Sequence, residues 1–72
     1  MKTIRKDFYK DGGSCLLETN KGTFYQDNSI GSKHHGAWYK VPRNNEAPWK
    51  RATEENKVID TELIKQLEDL KK

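Results

Sequence analysis

Cys15, His34 and His35 are the side chains of this sequence most suited to nucleophilic or metal chemistry. A zinc site needs three or four ligands of suitable type. Adjacent side chains diverge in a strand or a helix, so His34-His35 cannot chelate by itself. No C-x₂-C or H-x₃-H spacing adds the missing ligands. Cys15 falls on a face that the strand pattern marks as core, where a thiol is normally inert. Gly31-Ser32-Lys33 matches the end of a phosphate-binding loop. The upstream glycine, a Ser or Thr after the lysine and a following helix are all missing. Asp7, Asp11, Glu18 and Asp27 are available for acid–base work, but nothing brings two of them into one pocket. The sequence therefore predicts no enzyme, no metal site and no cofactor.

Binding chemistry is better represented. Three candidate strands each contain an adjacent aromatic pair: Phe8-Tyr9, Phe24-Tyr25 and Trp38-Tyr39. Neighbouring strand residues point to opposite faces, so each strand sends one ring to each face whatever its register. The segment Lys33–Arg51 adds Lys33, Lys40, Arg43, Lys50 and Arg51 against Glu46 alone. Rings interleaved with cations suit a protein interface, where Tyr, Trp and Arg are preferred anchors. They also suit single-stranded nucleic acid, with bases stacked on rings and phosphates neutralised by Lys or Arg. The residues expected to form this surface are Arg5, Tyr9, Phe24, Trp38, Lys40, Arg43, Lys50 and Arg51.

The elements that must position these groups follow from the pattern. Residues 3–41 contain short β-type runs divided by turn signals. Asp11-Gly12 is a favoured two-residue hairpin turn, and Asn20-Lys21-Gly22 fits a three-residue loop with glycine at its left-handed position. Ser29–Gly36 reads as a polar loop, and Ala37–Val41 as a fourth strand stopped by Pro42. Residues 42–57 form an irregular basic segment, although Asn45 could cap a helix with Pro48 in its first turn. Ile59, Leu63, Leu67 and Leu70, widened by Ile64, make one apolar stripe of a helix over about 60–71. Asp60 is its predicted N-cap. Eleven residues make a marginal helix alone, so it has to pack on the sheet.

The predicted fold is α+β: an antiparallel β-meander of three to four strands with one C-terminal amphipathic helix packed on one face. Residues 1–72 form one small domain. The two hairpin readings pair Phe8 with Cys15, Lys6 with Leu17, Leu17 with Tyr25 and Glu18 with Phe24. Ile4, Phe8, Cys15, Leu17, Tyr25, Tyr39 and Val41 then face the helix. Tyr9, Phe24 and Trp38 fall on an open face beside Arg5 and Lys40. Of the two tryptophans, Trp49 is expected to plug the core and Trp38 to be the exposed ring.

Composition limits the rest. Only 32% of the 72 residues are apolar and 35% are charged, which allows one thin core. The net charge is +3, with a balance of +5 in residues 1–52 and −2 in residues 53–72. That is a modest attraction for anionic partners. One cysteine cannot make an intrachain disulfide, which favours a reducing compartment. No apolar run approaches a membrane span of roughly 20 residues. The expectation is a cytoplasmic binding module without a membrane partner, most simply a protein-binding regulator, inhibitor or adaptor. A nucleic-acid-binding protein and a homodimer formed through the open sheet face are the alternatives.

Overall fold

A computed structural model describes residues 1–43 and 47–72. Strands β1 (Thr3–Phe8), β2 (Cys15–Thr19), β3 (Gly22–Asp27) and β4 (Ala37–Val41) form one antiparallel sheet in the order β1-β2-β3-β4. Two short 3₁₀ turns follow, Pro48–Arg51 and Glu54–Asn56, and then the helix α1 (Thr61–Lys71). The α+β meander and its packed C-terminal helix are as the sequence predicts. The segment Arg43–Ala52 contains the first 3₁₀ turn and no α-helix among its described residues; the alternative cap, Asn45, lies outside them.

The first hairpin has the expected register, with Phe8 opposite Cys15 and Lys6 opposite Leu17. Gly12 sits at φ +117°, and a Cβ there would lie 2.8 Å from the Asn28 carbonyl oxygen. That close approach lets the Ile30 N–H donate to the Asp11 carbonyl at 2.9 Å, tying the turn to the loop after β3. Glycine is required at this point for both reasons.

The second hairpin differs from expectation by one residue. Thr19 pairs directly with Gly22, so Leu17 lies opposite Phe24 and Leu16 opposite Tyr25. The Thr19 hydroxyl closes the shorter turn, donating to the Gly22 carbonyl at 2.7 Å and accepting from the Lys21 N–H at 3.1 Å. Gly22 supplies the required positive φ of +133°. Strand side chains repeat every two residues, so a one-residue slip transfers a whole strand to the other face. β4 follows β3, because Tyr25 pairs with Tyr39 and Gln26 with Trp38.

The sheet consequently has two buried faces. Cys15, Leu17, Phe24, Trp38 and Leu67 form the helix-side core, joined by Met1, Val58, Leu63, Ile64 and Leu70. Leu16, Tyr25, Tyr39 and Val41 form a second core with Tyr9, Ala37 and Ala52. The expected open face is thus partly covered, and Phe24 and Trp38 lie beneath the helix instead of in solvent. Ile4 and Phe8, predicted to be core, are each 56% exposed, because the helix packs over β2 and leaves edge strand β1 uncovered.

Asp60 caps α1 as predicted, accepting from the N–H groups of Glu62 and Leu63 at 3.0 and 3.4 Å. Ile59 does not join the stripe and is 84% exposed. It precedes the cap and lies outside the helix. Val58 packs in its place, and its N–H donates to the Trp38 carbonyl at 2.8 Å. With the Tyr39–Lys57 bridge, that bond covers part of the outer edge of β4.

Candidate functional site

The helix-side core contains a polar knot. The Gln26 amide donates to Glu68 Oε1 at 2.8 Å and to the Gly36 carbonyl at 3.0 Å. Its Oε1 accepts from Lys71 Nζ at 2.7 Å and Asn28 Nδ2 at 2.8 Å. Trp38 Nε1 also donates to Glu68 Oε1, at 3.2 Å. The knot fastens α1 to β3 and β4. Its polar groups are occupied by one another, which marks it as structural.

Cys15 lies in the same core, fully buried, with its thiol 3.8 Å from Gln26 Oε1. Burial, with the Glu68 charge adding to it, pushes this thiol up to about 11 against the attraction of Lys71. Raising an acid's pKa on folding favours the native state while the unfolded thiol is protonated. That contribution is complete below pH 9 and is lost as pH rises to about 11. In native protein at pH 8, Cys15 should react with a thiol reagent only as fast as the domain opens. Labelling at the rate of an unfolded peptide would show the thiol to be accessible.

The loop between β3 and β4 is built on Asp27. Its Oδ1 accepts from the Ser29 hydroxyl and N–H, and its Oδ2 from the Ser32 hydroxyl at 2.7 Å. Burial opposes ionisation of Asp27, but these hydrogen bonds outweigh it and hold the carboxyl below its ordinary range. The hydroxyl of Gly31-Ser32-Lys33 is therefore engaged by a carboxylate. Lys33, His34 and His35 are exposed. Among the described residues, no group of three His, Cys, Asp or Glu side chains is arranged to hold a metal ion.

An open groove of about 350 Å³ runs between Phe24, Lys40 and Leu63 and the segment 55–60. Lys40, predicted to lie beside Trp38 on the open face, stands at this groove on the helix side. Asp60, also on the groove, is committed to the helix cap.

Two rings are exposed: Phe8 on edge strand β1 and Trp49 on the other side of the sheet. Trp49, expected in the core, is 53% exposed, whereas Trp38 is 1% exposed. The two tryptophans thus have the reverse of their predicted positions. Pro48 fills the buried position at the start of the 3₁₀ turn, so the next residue projects outward. The Trp49 ring meets Tyr9 edge-on at a centroid distance of 6.0 Å, and Tyr9 meets Tyr25 at 6.1 Å. Such edge-to-face contacts hold rings in defined orientations. Burial, then the neighbouring Asp7 charge, pushes the Tyr9 phenol above its ordinary value.

Lys50 and Arg51 follow Trp49 and are exposed. Arg5 and Arg43 belong to the same side of the sheet, through Glu18. Arg5 is the cross-strand neighbour of Glu18, and Arg43 Nε donates to Glu18 Oε1 at 3.1 Å. Arg5 also pairs with Asp7 at 2.7 Å. Of the eight predicted binding residues, Arg5, Tyr9, Arg43, Lys50 and Arg51 share this side. Phe24 and Trp38 are buried on the other, and Lys40 stands at the groove there. The residue missed is Trp49. No local signal marks it, because tertiary packing decides that Pro48 is buried and Trp49 is not.

No helix among the described residues is long and apolar enough to cross a membrane. No protein-family model matches the chain, and no curated protein or solved structure is significantly similar to it.

Proposed function

We propose that this chain is a small non-enzymatic binding module that takes a protein partner on the Trp49–Tyr9 surface. The observation that carries the reading is the exposure of Trp49 in a domain with few apolar residues. Its ring is oriented by Tyr9 and raised on a turn anchored by buried Pro48. A large ring ordered before binding loses little conformational freedom on contact. Exposed Lys50 and Arg51 beside it favour a partner segment with an apolar side chain and flanking carboxylates.

Two features favour protein over nucleic acid. Arg5 and Arg43 are already paired with Asp7 and Glu18, which reduces the charge available for phosphates. Glu54 and Glu55 follow closely after Arg51. A single buried cysteine is consistent with a reducing, cytoplasmic setting.

The test is affinity capture from the native cell extract with the intact chain and with Trp49→Ala, each with and without nuclease. Trp49→Ala should keep its fold and weaken capture of a nuclease-resistant protein partner by roughly 30-fold, the scale of an interface hot spot. Equal recovery by both chains would remove Trp49 from the interface. Retention that disappears with nuclease, together with direct oligonucleotide binding that weakens steeply with salt, would establish the nucleic-acid reading instead.

A further inference from the structure

We infer that β1 is a dimerisation edge, pairing antiparallel with β1 of a second copy in a register centred on Lys6. This goes beyond the Trp49 surface and does not depend on it. The first observation is that the two sheet edges differ. β4 is partly covered by the Tyr39–Lys57 bridge and the bond from the Val58 N–H to the Trp38 carbonyl. Among the described residues no strand lies on the outer side of β1, which exposes Ile4 and Phe8. An uncovered edge with large apolar side chains is a template for another strand.

The second observation concerns backbone phase. The Tyr9 N–H donates to the Ser14 carbonyl at 2.8 Å. Residues of an antiparallel ladder alternate between hydrogen-bonded and non-hydrogen-bonded positions. Tyr9, Asp7 and Arg5 therefore direct their backbone groups to β2, while Phe8 and Lys6 direct theirs outward. Ile4 is the bulged residue, without a register partner on β2. A second β1 must consequently match even-numbered residues with even-numbered residues.

Three registers satisfy that condition with substantial overlap, and charge selects one. Centring the pair on Arg5 places two arginines opposite each other, and centring it on Asp7 opposes two aspartates. Centring it on Lys6 sets Ile4 against Phe8 of the second copy and Arg5 against its Asp7, each contact occurring twice. The segment Ile4-Arg5-Lys6-Asp7-Phe8 is self-complementary when reversed: apolar, cation, centre, anion, apolar. Aromatic–aliphatic and opposite-charge cross-strand pairs are both favourable. The one like-charge contact is Lys6 with itself. Each Lys6 Nζ is drawn aside, donating to the Lys72 carbonyl at 3.0 Å beyond the helix C-terminus. The arrangement has two-fold symmetry and consumes the β1 edge, so it closes at two copies.

The test is sedimentation equilibrium of the full chain over a concentration series, with circular dichroism as a check of folding. The wild-type chain should pass from monomer to dimer mass. Arg5→Asp and Asp7→Arg should each weaken self-association roughly tenfold or more, because each converts two attractive contacts into repulsive ones. Mixing the two variants should restore dimers, since both contacts then become Asp against Arg. The double variant Arg5→Asp/Asp7→Arg should dimerise alone, and Trp49→Ala should dimerise as wild type. A constant monomer mass overturns the inference, as does self-association insensitive to both single changes. Loss of dimer in Trp49→Ala would also overturn it and assign the interface to the aromatic surface.

Discussion

Trp38→Ala should unfold most of the population at 25 °C, while Trp49→Ala should remain folded. Trp38 is among the largest fully buried side chains and sits beneath α1 with Phe24, Leu17 and Leu67. Truncating a buried aromatic to alanine costs about 3–5 kcal/mol in lost transfer energy and cavity formation. The change also removes the indole donor to Glu68 Oε1. Domains of this length have a core that seldom provides more than about 3–5 kcal/mol of net stability, so the cost is comparable with the whole. Trp49 is half exposed, so its truncation leaves no sealed cavity and forfeits the covered half of the ring and the edge contact with Tyr9, about 2 kcal/mol together. Urea titration of both variants followed by circular dichroism measures the difference. A folded Trp38→Ala domain with near-wild-type stability would contradict the register of β3 and β4. The sequence-based register led to the opposite expectation, with Trp38 on the open face.

Gln26→Leu should be the second most damaging change, although it replaces a buried polar side chain with an apolar one of similar size. Replacing both members of a buried polar pair together can be neutral or favourable, but replacing one leaves the other unsatisfied. Here one residue serves Glu68, Lys71, Asn28 and Gly36. Leucine leaves those partners in place and removes their shared connection. Asn28 keeps its bond to the Gly13 carbonyl, and Glu68 keeps the Trp38 indole. The part-buried Gly36 carbonyl loses its donor, whereas Lys71 is about 30% exposed and keeps Glu68 at 3.9 Å. A buried group left unsatisfied costs about 1–3 kcal/mol, and with one part-buried group affected the loss should be roughly 1–2 kcal/mol. For a domain of this size that lowers Tm by roughly 5–15 °C. Glu68→Gln is the informative companion, because it retains an acceptor for Trp38 and Gln26 and should cost less than about 1 kcal/mol. Thermal melts of the two variants separate hydrogen-bond geometry from charge. Equal melting of Gln26→Leu and the unmodified chain would show that the knot does not hold the helix to the sheet.

The aromatic surface and the β1 edge use different parts of the molecule. Trp49 stands on the face opposite α1, and the β1 pairing extends the sheet sideways. A dimer would carry two Trp49 surfaces. A partner with two matching segments would then gain effective concentration from the pairing, and loss of β1 contacts would weaken its binding without any change at Trp49.

Much of the fold was legible along the chain. Gly12 in the first turn, the stop at Pro42 and the Asp60 cap act locally, and each has the role its residue type predicts. The spacing of Leu63, Leu67 and Leu70 was sufficient for a helix that had to pack. The rule that each aromatic pair divides between the faces also holds, because it requires only the strand period. Phe24 and Trp38 lie on one side, and Tyr25 and Tyr39 on the other.

Tertiary structure decided which side was which. β3 and β4 carry a large ring on each face, so their patterns fit either orientation equally well. The choice rested on whether the turn after Thr19 contained two residues or three. The Thr19 hydroxyl closes the shorter turn, and α1 requires the broad floor that Phe24 and Trp38 provide. The same long-range packing buried Pro48, raised Trp49 into solvent and left Ile4 and Phe8 beyond the reach of the helix. By itself the sequence determined the elements, the caps and the division of aromatics, since these depend on neighbours within a few residues. It could not determine the faces, because a one-residue difference in one turn inverts them and the apolar pattern is nearly symmetric under that inversion.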